Sequence, residues 1–318
     1  MSVRNSPFVQ DSATGKRTTP WWLTVIAFAV IFLVFNFGGI FLLQTIFPST
    51  DGSAASQVIE SVGELLPTLA VFAWLVFYDR RRVASLGFHN PRRGVLALLL
   101  GIATGFAMIS VPILILWAAG VYQTITPTPG SSTGFSALPI VVLLVLTVVV
   151  QGGNEEVLIR GFLFQNFGRT LPGWVAILAP SILFAVVHGV VAAPVPFITI
   201  FGYALFATFV VLLRKSLWLI CGIHAGWNWA MGNVYGISVS GLPPEQNSII
   251  MLTAAPGQPT WLSGGEWGAE GSLPGAFMAV TATVLVFLAW RRADRNQDVV
   301  ASAPESAVHR APHAEAAG

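Results

Sequence analysis

Residues 136–160 read "SALPIVVLLVLTVVVQGGNEEVLIR", an apolar run that ends in two adjacent glutamates and an arginine. A helix needs about 20 consecutive, mostly apolar residues to cross a membrane, so this run predicts a spanning helix. An ionisable side chain at the centre of such a helix costs about 3 kcal/mol on insertion scales. We therefore expect Glu155, Glu156 and Arg160 to have partners or a function inside the protein.

The composition of the whole chain is that of a membrane protein. Of its 318 residues, 54% are hydrophobic and only 9% are charged. An average globular domain has about a quarter of its residues charged. The formal net charge of +2 is small, which argues against nucleic acid as a partner. Cys221 is the only cysteine, so an internal disulfide is excluded.

About eight segments are long and apolar enough to be predicted as membrane-spanning helices. Each should be helical, because lipid offers no partners for backbone N–H and C=O groups. The predicted fold class is therefore all-α, a polytopic membrane helix bundle. The segments cover approximately residues 21–46, 58–78, 95–118, 136–167, 172–191, 195–213, 216–234 and 273–290.

The distribution of lysine and arginine supports this count. With eight spans, all 16 basic residues fall on one side of the membrane. The opposite loops contain no basic residue; they are 47–57, 119–135, 192–194 and 235–272. Basic residues favour the cytoplasmic side, so both termini are predicted to be cytoplasmic.

Three parts of the chain follow from this topology. Residues 1–20 are predicted to form a cytoplasmic N-terminal tail, and residues 21–292 a transmembrane helical domain. Residues 293–318 are rich in Ala, Pro and Glu and are predicted to form a disordered cytoplasmic tail. The expected localisation is the cell membrane, as a multi-pass protein in contact with the lipid bilayer. The sequence does not set the oligomeric state.

Three polar clusters interrupt the predicted spans, in "NEEVLIR", "FAVVH" and "HAGWN". Such groups usually face a bundle interior or a wet cavity and mark functional sites. A carboxylate, two imidazoles and an amide can together supply a base, a polarising partner and oxyanion donors. The side chains concerned are Glu155, Glu156, Arg160, His188, His224 and Asn228.

Helix geometry separates the two glutamates. Glu156 and Arg160 are four residues apart in the favourable acid-first order, so they can pair on one face. Glu155 points about 100° away and is free to face another helix. If the fourth and fifth spans form an antiparallel hairpin, Glu155 and His188 reach a similar depth.

Other interpretations stay open at this point. A Glu–Arg pair or a single histidine can simply join neighbouring helices by hydrogen bonds. A polytopic transporter with a buried Glu/His proton pathway would use the same residue types. The absence of an internal repeat or of paired broken helices in the sequence argues against that transporter. A non-catalytic immunity or scaffold protein of the same fold is a third alternative.

The three clusters, in this order, resemble one known family. "EEVLIR" fits E-E-x-x-x-R, "FAVVH" fits F-x-x-x-H and "HAGWN" fits H-x-x-x-N. They resemble the CPBP family of intramembrane proteases, which includes the type II CAAX prenyl endopeptidases and bacteriocin-immunity proteins. Each motif alone is weak, but three in order on membrane helices are fairly specific. The resemblance covers about residues 136–232, roughly a third of the chain, and implies that the catalytic core lies there.

The resemblance implies an intramembrane endopeptidase that hydrolyses a peptide bond in a membrane-associated protein or peptide, as in CAAX processing of prenylated substrates. It implies that Glu155 is the general base and that His188 helps it to activate water. His224 and Asn228 would stabilise the oxyanion of a tetrahedral intermediate. Glu156 would, together with its arginine partner, orient the helix.

The resemblance leaves the metal question open, because the family has been described both as metalloproteases and as glutamate-dependent enzymes. If zinc is bound, the implied ligands are Glu155, His188 and His224, with an open position for water. The zinc-protease signature H-E-x-x-H is absent from the sequence. We expect catalysis without a tightly held metal, with zinc as the alternative cofactor.

Overall fold

Helices account for nearly all regular structure in the computed structural model, which describes residues 3–127 and 130–302. Within these residues, eight long helices follow one another along the chain. They are α1 (Trp21–Ile46), α2 (Ala54–Asp79), α3 (Pro91–Ala118), α4 (Leu138–Thr170), α5 (Gly173–Val187), α6 (Pro194–Arg214), α7 (218–234) and α8 (Leu273–Ser302).

Short elements connect the long helices. The short helices are Val3–Asn5, Pro7–Gln10, Asp11–Ala13, Val83–Leu86, Gly134–Ser136, Val190–Ala192, Thr260–Ser263 and Gly265–Gly271. The strands are β1 (Tyr122–Thr124), β2 (Ser132–Thr133), β3 (Asn247–Ser248) and β4 (Leu252–Ala254). β1 pairs antiparallel with β4, and β2 pairs parallel with β3. Wide π-helical turns occur inside four long helices, at Ile31–Phe37, Trp74–Asp79, Val157–Phe164 and Ala230–Val234.

Six helices in the described part of the chain are long and apolar enough to cross a membrane, namely α1, α2, α3, α4, α6 and α8. The all-α membrane bundle predicted from the sequence agrees with this finding. α5 is apolar but shorter; its 15 residues are about 22 Å long, less than the ~30 Å hydrocarbon core. α7 is buried on every face along residues 220–228. The count of eight spans and the cytoplasmic placement of both termini stay predictions.

The central helix α7 packs closely against α3 through glycines spaced four residues apart on both helices. They are Gly101 and Gly105 on α3, and Gly222 and Gly226 on α7. A Cβ atom at Gly226 would overlap the carbonyl oxygen of Ile102, and the other three positions are equally crowded by backbone atoms. Small residues at this spacing allow close approach of membrane helices. The contact fixes the position of α7 in the bundle.

Three of the four loops without basic residues, 47–57, 119–135 and 235–272, meet at one end of the bundle, which we call the loop end. The two strand pairs join residues 122–133 to residues 247–254 there. The backbone N–H of Gln246 donates to the carbonyl of Gly52 at 2.8 Å, which adds the first loop to the same assembly. The predicted grouping of these loops on one side therefore has a counterpart in the structure.

The opposite end of the bundle holds residues 3–20, which belong to the predicted N-terminal tail. Phe8 and Val9 are fully buried there. Gln165 near the end of α4 donates to the carbonyl of Phe8 at 2.9 Å and accepts from Arg81 at 3.0 Å. At the other terminus, α8 remains helical to Ser302, beyond the predicted start of the disordered tail at residue 293. Residues 303–318 of that predicted tail lie outside the described residues.

Candidate active site

The two glutamates lie near the middle of α4, at a close approach to α7. Gly152, one turn before Glu156, makes this approach: a Cβ there would lie 3.0 Å from the Cβ of His224. Immediately after Glu156 the helix widens into the π-helical turn Val157–Phe164. Such turns inside α-helices are frequent at functional sites. The local backbone thus brings both carboxylates next to α7.

Glu156 belongs to a fully buried network. Its Oε1 accepts from Arg160 Nη1 at 3.0 Å and from His224 Nδ1 at 3.0 Å, and no part of the Glu156 or Arg160 side chain is exposed. Arg160 also donates to the carbonyl of Ala204 at 3.0 Å. Its guanidinium lies 4.7 Å from the ring centre of Phe184. The pair therefore links α4 to α5, α6 and α7, and the predicted i,i+4 ion pair is present.

His188 lies at the C-terminal end of α5, where Phe184 fixes its orientation. The His188 Nδ1 lies 2.7 Å from the Phe184 carbonyl oxygen, and the two ring centres are 4.3 Å apart. A carbonyl oxygen can only accept, so Nδ1 carries the proton. Nε2 then faces Glu155, 3.6 Å from its Oε2. The spacing F-x-x-x-H thus has a local physical reason, one helical turn between a carbonyl and a ring.

His224 approaches the same oxygen from α7. Its Nδ1 is held by Glu156, and its Nε2 lies 3.8 Å from Glu155 Oε2. The two imidazole Nε2 atoms therefore converge on one carboxylate oxygen, at distances longer than direct hydrogen bonds. Glu155 Oε2 is buried and has no hydrogen-bond partner among the described groups. Glu156 Oε2 also lacks a hydrogen-bond partner, but the Glu156 side chain has no exposed surface, so Glu155 is the glutamate that a reactant can approach.

Asn228 lies one turn after His224 on α7 and faces the same region. Its Nδ2 donates to Gln151 Oε1 at 3.4 Å. Gln151 lies on α4 one turn before Glu155 and was not singled out from the sequence. Since an amide nitrogen carries two hydrogens, Asn228 retains one for another acceptor.

A cavity of about 300 Å³ lies beside these groups. Glu155, His188 and Asn228 line it on one side. Phe28, Phe32, Asn36 and Phe37 of α1, together with Leu158, Ile159 and Leu242, form other parts of its wall. An apolar cavity with a few convergent polar groups is the common form of a binding site. The described polar groups thus face a space large enough for part of a peptide.

Sequence reasoning missed a buried carboxylate on the loop side of the site. Glu270 accepts from Trp227 Nε1 at 2.9 Å, from the backbone N–H of Ser240 at 2.8 Å and from Ser240 Oγ at 2.9 Å. Ser240 adopts φ +49° and lines the same cavity as Glu155 and His188. A residue other than glycine rarely adopts this backbone conformation unless its surroundings hold it there. Glu270 therefore clamps a loop over the site.

The side chains implied as ligands if zinc is bound, Glu155, His188 and His224, lie near one another. In the described part of the chain, no group of three or more His, Cys, Asp or Glu side chains is arranged to hold a metal ion. Tetrahedral zinc with bonds of about 2.0–2.2 Å would bring its ligand atoms to about 3.4 Å from one another. Glu155 Oε2 lies 3.6 Å from His188 Nε2 and 3.8 Å from His224 Nε2.

Residues 137–230 match a known family, described as type II CAAX prenyl endopeptidase Rce1-like. The matched range contains all three motifs and lies inside the predicted catalytic core. The match confirms the resemblance to the CPBP family and supports membership of it. At the level of the family it points to a protease. No curated protein and no solved structure matches the chain.

Proposed function

We propose, from the CPBP family match and the geometry of the site, that the protein is an intramembrane endopeptidase that hydrolyses a peptide bond with a directly activated water. One observation carries the proposal: the Nε2 atoms of His188 and His224 converge on the unpartnered oxygen of Glu155. Glu155 lines a cavity of about 300 Å³, which is large enough for part of a peptide. No nucleophilic side chain is needed.

Glu155 acts as the general base in this proposal. The nucleophile is a water that hydrogen-bonds to Glu155 and to the two imidazoles, whose Nε2 atoms lie 3.6 and 3.8 Å from Glu155 Oε2. His188, whose Nδ1–H is held by the Phe184 carbonyl, accepts one water hydrogen at Nε2. Glu155 takes the other proton as the water oxygen attacks the scissile carbonyl carbon.

Asn228 and His224 stabilise the negative charge that develops on the carbonyl oxygen. Asn228 donates its second amide hydrogen. His224 already donates from Nδ1 to Glu156, so it donates from Nε2 as an imidazolium whose charge the adjacent carboxylates balance. When the tetrahedral intermediate collapses, the C–N bond breaks and Glu155 gives its proton to the leaving amine. Water is thereby divided between the two products.

The substrate in this proposal is a membrane-associated protein or peptide in the cell membrane. Apolar side chains of α1 and α4 form much of the cavity wall, which suits a segment that is delivered from lipid. CAAX-type prenylation is one way to make a peptide membrane-associated, and an unmodified apolar segment is another. Parallel assays of a prenylated peptide and its unmodified form distinguish these two substrate classes.

The experiment that tests the proposal uses purified protein in lipid vesicles with membrane-anchored peptide substrates. Glu155→Gln keeps the shape of the side chain and removes the base, so we expect cleavage to fall about 10²- to 10⁴-fold. Glu266→Gln, at an exposed glutamate of the last loop, is the matched control and should cleave at the wild-type rate. Wild-type cleavage by Glu155→Gln would overturn the assignment.

Two further outcomes address the alternatives. Proton-coupled transport without peptide cleavage would favour the transporter, and a folded protein with neither activity would favour the immunity or scaffold protein. We propose that catalysis needs no resident metal. Activity should therefore persist in protein shown by elemental analysis to be free of zinc after prolonged chelation. Loss of activity on chelation and its recovery with zinc would contradict this.

A further inference from the structure

A second, smaller cavity lies between the catalytic cavity and the loop end. It has a volume of about 50 Å³ and contains three carboxylates in its wall, from Glu60 and Glu64 of α2 and Glu245 of the last loop. Glu64, Gln151 and Asn228 line both this cavity and the catalytic one. The two cavities therefore meet at Glu64, and polar groups continue from the loop end to the neighbourhood of Glu155.

The wall of this second cavity contains polar atoms without protein partners. Glu64 Oε2, Glu245 Oε2 and Gln57 Nε2 are buried and form no hydrogen bond with described groups. The Gln57 side chain belongs to a residue that is only 7% exposed. An unsatisfied buried polar atom costs about 1–3 kcal/mol, and ordered water is the usual remedy. These orphaned groups point to water as the occupant.

The chemistry of the wall favours water and protons over a metal cation. No lysine, arginine or histidine lines the cavity. Within the described residues, the glutamates are not arranged as a metal site. Burial raises the pKa of Glu245 to about 8, and the charge of Glu60 adds to the rise. A carboxyl group that is partly protonated near neutral pH can both donate and accept hydrogen bonds.

We propose that Glu245, Glu60 and Glu64 line the entrance through which the hydrolytic water reaches Glu155 from the loop end, and along which protons exchange with that side of the membrane. The consumption of this water rests on the proposed protease function, whereas the existence of the path does not. A base embedded among apolar helices needs such a supply, since each turnover consumes one water.

Chemical accessibility tests the path without using catalysis. Thr147 lines the small cavity, whereas its neighbour Leu146 is 64% exposed on the outer surface of α4. In a Cys221→Ala background, Thr147→Cys and Leu146→Cys form a matched pair. Silver ion, which is close to water in size and excluded from lipid, is added to one side of sealed proteoliposomes. Thiols that remain free are then counted by alkylation after denaturation.

We expect silver on the loop side to block Thr147→Cys at least 10-fold faster than Leu146→Cys, because a thiol in lipid does not ionise. Silver on the opposite side should block Thr147→Cys no faster than Leu146→Cys. Equal rates for the two variants from the loop side, or no reaction of Thr147→Cys, would overturn the path. This result holds whether or not the protein proves to be a protease.

Kinetics test whether the path supplies the reaction. Glu64→Gln keeps a polar group in the wall and should lower kcat less than Glu64→Leu does. Glu64→Leu makes the junction apolar, and we expect kcat to fall about 10-fold or more with little change in KM. A wild-type kcat in Glu64→Leu would show that the path does not supply the water that the reaction consumes. Thermal melting checks that Glu64→Leu is folded, and the accessibility result stands if it is not.

Discussion

Glu155 and Glu156 are adjacent in the chain but occupy opposite kinds of environment. Glu156 is completely buried, and one of its oxygens accepts from both Arg160 and His224. Glu155 is partly exposed to a cavity and has an oxygen without a hydrogen-bond partner. A rotation of about 100° between successive helical residues produces this difference. Glu156 therefore holds the helices together, while Glu155 is accessible from the cavity.

The largest effect should come from breaking the buried hydrogen-bond network around Glu156. Arg160→Met leaves the Glu156 carboxylate buried without its cation, which costs about 3–5 kcal/mol for a broken buried pair. We expect much lower thermal stability and little folded protein. Glu155→Gln, in contrast, should melt close to wild type. Similar melting temperatures for Arg160→Met and wild type would show that the buried network is not structural.

Removing a hydrogen-bond donor from the cavity beside Glu155 should affect catalysis without affecting folding. Asn228→Ala deletes one proposed oxyanion donor, and such deletions lower kcat by about 10²- to 10³-fold. Steady-state cleavage of the membrane peptide measures this effect. Gln151→Ala provides the comparison, since it removes only the partner of the other amide hydrogen. A larger loss in Gln151→Ala than in Asn228→Ala would reverse the assigned roles.

Substitutions that loosen the loop over the cavity should have a smaller effect on activity. Glu270→Gln replaces a carboxylate that accepts three hydrogen bonds by an amide that can satisfy fewer of them. We expect kcat to fall about 10-fold, equivalent to about 1.4 kcal/mol, with the fold retained. Ser240→Gly adopts the same positive φ without strain and should remain close to wild-type activity. Equal losses in both variants would mean that the serine hydroxyl matters more than the clamp.

The smallest effect concerns the pH dependence of stability at the loop end. Because burial raises the pKa of Glu245 to about 8, the folded protein retains a proton that the unfolded chain has released. Folded stability should therefore fall as pH rises from about 4.5 to about 8. Glu245→Gln should show a shallower fall over this window when thermal melting is measured in detergent. Glu60 and Glu64 are present in both proteins, so parallel pH profiles would contradict the prediction.

The parts of the site that share a helix could be predicted from the sequence. Spacing alone places Arg160 one turn from Glu156, and hydropathy alone predicts a helical membrane bundle. Glu270 could not be found in this way, because the loop that carries it has no periodicity and its partner Trp227 is 43 positions away. Gln151 and Glu64 likewise acquire meaning only through cavities that several helices form together. The buried Phe8 shows that an isolated apolar residue in a polar segment can hold that segment against the bundle.

The glycine contact between α3 and α7 also bears on how the protein is made. α3 is synthesised more than a hundred residues before α7, and its glycine groove must face lipid or other helices until α7 arrives. α7 carries a histidine and an asparagine, so it is a poor candidate for insertion on its own. Its docking onto α3 accepts only one register, because a shift would place a side chain against a backbone carbonyl. The contact of His224 with Glu156 therefore forms only after α7 has been synthesised and has packed against α3.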